Sequence, residues 1–308
     1  MKSGYLEASQ GVPNGTAVPA KRSPPLSGEA NALGMPPHAA ITASLANSNL
    51  ARKRARAWSL RIAGTQFLLV ATVLGLWQYG VQGKALNAFL FGSPSAIWHL
   101  LVKGIADGSM INDIYVTSME TTLGFLLGNL IGPVVGLALW YWPFWEKVFT
   151  PFIMALGAIP IIALAPLVII WAGTGLASKV LMSTLSVVVV ALLAAFDGAR
   201  NSDPLERNLL YSMGATKWQV FWLVVIPSAL SYIFSGLKLT VAFALIGAII
   251  GEFVSSNAGL GHAIFIAGSL YNIPEVFASL LATVVIALVF VSAVRRIEWL
   301  LLPWRRGI

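Results

Sequence analysis

Few residues in this sequence could do chemistry, and those few are scattered. Two carboxylates, Glu120 and Glu252, stand at the ends of long apolar runs, and Lys179 and Lys238 flank opposite ends of their helices. An acid in such a setting is a functional candidate by default, because a charge in hydrocarbon is costly unless something uses it. Both acids also have a structural reading, since each lies near the end of its run and within reach of interfacial water. The two lysines read as anchors whose long stems let the ammonium snorkel to the interface. His38, His99 and His262 are isolated, and no spacing suited to a metal site occurs. The chain has no cysteine, which excludes disulfides, thiolate metal sites and cysteine nucleophiles. A phosphate-cradling loop needs Gly-x-x-x-x-Gly-Lys followed by Ser or Thr. The nearest match, Gly83-Lys84-Ala85, lacks the first Gly and the hydroxyl. Nothing here predicts catalysis, a bound cofactor or ATP hydrolysis by this chain.

The elements that must position these residues are set by composition. Apolar residues make up 57% of the 308 and charged residues 10%. A soluble domain carries roughly 25% charged residues to wet its surface, so lipid must cover much of this one. Runs long enough to cross a bilayer, about 17–25 residues, fall near Ile62–Tyr79, Ser118–Tyr141, Val148–Trp171, Ser178–Phe196, Tyr232–Val254 and Val276–Val294. The fold class expected is therefore an all-α membrane protein with about six transmembrane helices. The third run contains Pro151, Pro160 and Pro166 and is expected to be kinked or broken. With both termini cytoplasmic, 17 of the 20 Lys and Arg residues fall inside and only Lys84, Lys103 and Lys179 outside, as the positive-inside rule requires. The net charge of +8 is thus a topology signal, with no basic-aromatic face for nucleic acid.

Residues 1–51 are rich in Ser, Pro, Gly, Ala and Asn without apolar periodicity, and read as a disordered cytoplasmic tail before a membrane domain at 52–308. No apolar core follows the first Lys, so no secretory signal is expected there. A basic cluster, Arg52, Lys53, Arg54, Arg56 and Arg61, leads into the first run. In the second run Gly124, Gly128, Gly132 and Gly136 lie along one helix face, where another helix can approach closely. That helix could belong to the same subunit or to a second one.

The loop between the fourth and fifth runs, Asp197 to Ser231, is the most informative segment. Asp203-Pro204-Leu205-Glu206 reads as a helix start, with Asp203 as cap, Pro204 at the first position and Glu206 reaching back as in a capping box. Leu205, Leu209, Leu210 and Met213 form an apolar stripe at helical spacing, and Gly214 supplies the left-handed stop. A second helix is expected from Lys217 to Ile226, capped by Thr216 with Gln219 three residues on, and ended by Pro227. Such a pair can either plug a partner's groove or merely anchor the loop at the interface. A DNA-reading helix-turn-helix is excluded, because the second helix is Val, Phe, Trp and Leu.

The stretch Gly214-Ala215-Thr216-Lys217-Trp218 through Val225-Ile226-Pro227 resembles the cytoplasmic loop of binding-protein-dependent ABC transporter permeases. There a Glu-Ala-Ala triplet precedes the Gly and an apolar-Leu-Pro closes the motif. Here Asn208-Leu209-Leu210 stands in place of the triplet, with Glu206 close by. The resemblance extends to Asp197-Gly198-Ala199-Arg200, to Pro160 and Pro166 with Trp171-Ala172-Gly173-Thr174-Gly175, to Gly251-Glu252-Phe253 with Gly259-Leu260-Gly261, and to Phe91-Gly92-Ser93-Pro94-Ser95. It covers about Ile62 to Arg296 and is most similar to the branch serving nitrate, sulfonates and taurine.

The resemblance implies a bacterial inner-membrane permease without enzymatic activity of its own, expected as a homodimer. A cytoplasmic ATP-binding subunit carrying ATP and Mg would dock on the loop, at Asp203, Glu206, Asn208, Leu209, Leu210, Gly214, Ala215, Thr216, Lys217 and Pro227. A periplasmic or lipid-anchored solute-binding protein would deliver cargo, and Pro160, Pro166, Glu120 and Glu252 are expected along the path or its gate. ATP can bias the inward and outward openings only by binding one state more tightly. The competing readings are a secondary transporter or channel, a membrane scaffold, and a family member for a neutral or cationic nutrient. A secondary transporter often shows inverted repeats around intramembrane charges, and no clear repeat is visible here.

Overall fold

The computed structural model describes residues 37–301, and those residues are almost entirely helical, with no strand among them. The expected tail lies, for residues 1–36, outside the described residues; from Pro37 onward the chain is helical. In chain order the helices are α1 (Pro37–Gln82), α2 (Ala88–Phe91), α3 (Pro94–Ala106), α4 (Ser109–Tyr141), α5 (Pro143–Ala158), α6 (Ile161–Ala172), α7 (Leu176–Arg200), α8 (Pro204–Ser212), α9 (Lys217–Val220), α10 (Ile226–Ser255), α11 (Leu260–Ser269) and α12 (Ile273–Leu301). The chain divides into a first unit, Met1–Val73, and a second, Leu74–Ile308, that holds the bundle.

Five helices are long and apolar enough to span: 60–82, 109–141, 176–200, 217–255 and 273–300. The pair α5 and α6 passes the same test only when taken together, and is bent by 98° at the break between Ala158 and Ile161. The bend has a local cause. Ile159 precedes a proline and is pushed into extended backbone, with φ −72° and ψ 123°. Pro160 then starts α6 without an N–H to give back to α5. The expected break of the third run is present.

Helix α7 is the centre of the bundle, packed between α4 and α10. The glycine face of α4 explains the closeness. A Cβ on Gly124 would stand 2.2 Å from the Ser183 Cβ, one on Gly128 2.5 Å from a Val187 methyl, one on Gly132 2.7 Å from the Ala191 Cβ, and one on Gly136 2.4 Å from the Leu192 carbonyl oxygen. The face is therefore filled from within the chain, by α7, and is not left open for a second subunit. Met182, Val187, Ala191 and Ala195 of α7 are buried in return.

One expectation about the loop fails. Pro227 does not end the helix begun at Lys217. Residues Phe221–Val225 form a π-turn in which the Ile226 N–H bonds to the Phe221 carbonyl, and α10 continues from there with proline in its first turn. Proline lacks a donor and crowds the carbonyl four residues back. Pro227 sits in the first turn after the π-turn, where a missing N–H is tolerated, and α9, the π-turn and α10 run on as one 39-residue span.

Candidate functional site

At one end of the bundle α8 is built as a separate, well-capped helix. The Asp203 carboxylate accepts from the Leu205 N–H at 2.8 Å, and Pro204 occupies the first turn. Glu206 lies exposed in that turn, where the helix dipole favours an acid. The expected reach-back is not made; Asp203 caps the helix through the Leu205 N–H alone. The C-terminal end closes as expected. Gly214 has φ +83°, its N–H bonds to the Tyr211 carbonyl, and the Ala215 N–H bonds to the Leu210 carbonyl at 3.0 Å. This pair of bonds is the Schellman closure. The next start also forms as expected: Thr216 N–H donates to Gln219 Oε1 at 2.7 Å and Gln219 N–H to Thr216 Oγ1 at 3.4 Å.

The apolar stripe of α8 divides into two roles. Leu210 packs on the cluster of Ala199, Val220, Phe221 and Val225, and holds the helix to the bundle. Leu205, Leu209 and Met213 remain 77%, 60% and 75% exposed. Asn208 is exposed beside them, and its carbonyl accepts from Ser212. Underneath, Lys217 donates to the Tyr141 carbonyl and lies 4.8 Å over the Tyr141 ring. That ammonium meets the negative end of α4, a favourable position for a cation. Phe221 stacks on Trp140 and Trp218. Sequence reasoning missed this aromatic floor, although Trp140-Tyr141-Trp142 and Trp218 were legible as interface aromatics.

The opposite end of the bundle holds a buried polar cluster. Glu252 of α10 is fully buried and accepts from Thr117 Oγ1 at 2.7 Å and from the Gly261 N–H. Thr117 in turn accepts from the Leu260 N–H at 2.8 Å, and Asp113 accepts from the Gly259 N–H at 2.8 Å. The first turn of α11 would otherwise leave these donors orphaned, since Gly259 has no side chain with which to cap. Glu120 is buried alongside, with one oxygen lacking a partner, and interacts electrostatically with Glu252 and Lys179.

Lys179 corrects the sequence reading. It does not snorkel: it is 3% exposed and donates to the Thr174 carbonyl of the α6–α7 turn. Its direct partner is a backbone carbonyl, with the Glu120 and Glu252 carboxylates near enough to act on it electrostatically. Glu120 and Glu252, read as within reach of water, are likewise enclosed. Lys238 bonds Glu298 of α12 at 2.6 Å. Pro160 and Pro166 lie exposed on the broken span and do not join the two acids. Asp113, Thr117, Glu120 and Thr121 follow one another at helical spacing on α4, a polar stripe that could have flagged the cluster. Among the described residues no group of His, Asp and Glu could hold a metal ion.

This bundle has close relatives. The model of the family described as "Binding-protein-dependent transport system inner membrane component" matches residues 124–306. The chain belongs to that family. The permease is 33% identical over 234 residues to a "Probable ABC transporter permease protein" of Haemophilus influenzae, covering 76% of this chain and 94% of that one. It is 32% identical to the "Formylaminopyrimidine transport permease protein ThiX" of Halalkalibacterium halodurans, over 63% of this chain and 79% of that one. It is 27% identical to the "Putative aliphatic sulfonates transport permease protein SsuC" of Bacillus subtilis, over 78% and 87%. In fold it is similar to the MetNI methionine ABC transporter in an inward-facing conformation, with TM-score 0.57, 19% identity, and 62% of this chain and 95% of that chain covered. The permease is thus a multi-pass inner-membrane component of an ABC importer and not an enzyme; ATP hydrolysis belongs to a separate ATPase subunit.

Proposed function

We propose that the permease docks its ATPase through α8 and conducts a small solute handed over by a solute-binding protein. The observation that carries the docking is the division of the α8 stripe: Leu210 grips the bundle while Leu205, Leu209 and Met213 point outward on a helix fixed at both ends. A short rigid helix with free apolar knobs suits a groove on a partner. In this reading Asp203, Gly214, Ala215, Thr216 and Lys217 shape the helix and its exit, while Glu206 and Asn208 flank the knobs at the position of the family's acidic triplet. The α8 end is cytoplasmic, as the Lys and Arg distribution favours, with both termini on that side. The permease works as a homodimer, and the broken span at Pro160 and Pro166 belongs to the gate.

Gly214→Val tests the docking. A Cβ there meets nothing within 4 Å, so space is not the obstacle; the left-handed φ of +83° is. The variant is expected in the membrane at wild-type level with ATPase co-purification reduced at least ~10-fold, a loss of about 1.4 kcal/mol. Undiminished co-purification overturns the assignment of α8.

The cargo is a small anion such as a sulfonate, taurine or nitrate. The similarity to a sulfonate permease supports this. The higher identity to a formylaminopyrimidine permease favours a second reading, a neutral heterocyclic nutrient. Uptake by a deletion strain decides between them: loss of growth on taurine, alkanesulfonates or nitrate as sole sulfur or nitrogen source supports the anion, and loss of pyrimidine salvage alone supports the heterocycle.

A further inference from the structure

The cluster around Glu252 joins three helices, α4, α10 and α11. Through hydrogen bonds it links α4, at Asp113 and Thr117, to the first turn of α11, at Gly259, Leu260 and Gly261. The contacts also exclude water and slack. A Cβ on Gly259 would stand 2.4 Å from the Glu252 carboxyl carbon, and one on Gly261 2.7 Å from its Oε2. Gly259 adopts φ +108°, which brings the backbone over the carboxylate. Three successive N–H groups thus converge on three side chains, and the positive end of α11 rests on the acid. On the other side, Lys179 carries the α6–α7 turn into the same cluster through Thr174.

We propose that Glu252 is a positioning residue for transport: its carboxylate clamps the first turn of α11 to α4 and α10, so that this end of the bundle moves as one rigid body throughout the cycle. The proposal rests on the importer reading and adds to it a fixed point opposite the docking helix. A clamp of this kind differs from ordinary packing in what its loss does. The bundle core at α4, α7 and α10 is held by its own glycine face and by the Ser183–Ala244 and Thr240–Asn129 bonds, and survives without the clamp. What is lost is the transmission of a binding-protein contact at this end to the ATPase at the other.

The test is Glu252→Gln in the complete importer, permease with ATPase and binding protein, reconstituted in lipid. The amide retains the size and one acceptor, and replaces the second carboxyl oxygen, so that the bonds from Thr117 Oγ1 and the Gly261 N–H cannot both be accepted. Expected are wild-type membrane abundance, ATPase association and basal ATP hydrolysis, with the stimulation of hydrolysis by loaded binding protein reduced at least ~10-fold. Amide exchange in the peptide containing Leu260 and Gly261 is expected to rise in the same variant. Unchanged stimulation with unchanged exchange overturns the proposal. Should the variant fail to accumulate, the wild-type complex decides. Protection of that peptide that is equal in the resting and ATP-trapped states supports a rigid clamp, and loss of protection in either state overturns it. If wild-type permease fails to associate with an ATPase at all, the importer reading fails and not the clamp.

Discussion

The two ends of the bundle solve opposite problems with similar parts. At the α8 end, large apolar side chains face outward and the polar groups are spent locally on caps: Asp203 on Leu205, Thr216 and Gln219 on each other. At the Glu252 end, two acids and a lysine are buried, and the bonds accepted by Glu252 and the half-buried Asp113 join residues 9 to 146 apart in the chain. Exposed apolar surface awaits a partner, whereas buried charge is tolerated only where its partners are already in place. The first end leaves large apolar side chains uncovered by the chain, and the second ties distant elements to one another.

Glycine substitutions break the comparison most sharply. Gly259→Val adds carbon where the Cβ alone would overlap the Glu252 carboxyl, and at a φ that valine resists. Overpacking typically costs about 1–3 kcal/mol and the backbone strain roughly as much again. Membrane abundance of this variant is expected to fall severalfold on quantitative immunoblots, where Gly214→Val leaves it unchanged. Equal abundance of the two would show that the ends do not differ as described. A smaller effect separates the two roles within α8. Leu209→Asp is expected to leave thermal stability within about 0.5 kcal/mol, as exposed substitutions do, and to weaken ATPase association. Leu210→Asp, against Val220 and Phe221, is expected to lower stability by roughly 1–3 kcal/mol. Co-purification and melting in detergent read both, and a Leu209 variant that binds the ATPase normally would remove the outward leucine from the contact.

The difference also decides what was legible. Local chemistry was: apolar runs gave the spans, Pro160 the break, and Asp203, Gly214 and Thr216 the limits of α8 and α9. Their partners lie within a few residues, so spacing suffices. Glu252 and Lys179 were visible as residues but not as a cluster. Whether a charge reaches water depends on groups far away in the chain, and hydropathy counts no such partners. Glu206 does not reach back to the Asp203 N–H and stays exposed in the first turn. Pro227 misled for another reason. The rule that proline stops a helix does not apply in a first turn, where the missing N–H is tolerated, and Pro227 sits in the first turn after the π-turn.

That π-turn has a geometric consequence. Because the span is uninterrupted from Lys217 to Ser255, its 39 residues extend about 58 Å at 1.5 Å per residue. One end lies beside the Tyr141 floor under α8 and the other carries Glu252. One continuous helical segment therefore joins the floor beneath α8 to the polar cluster at Glu252.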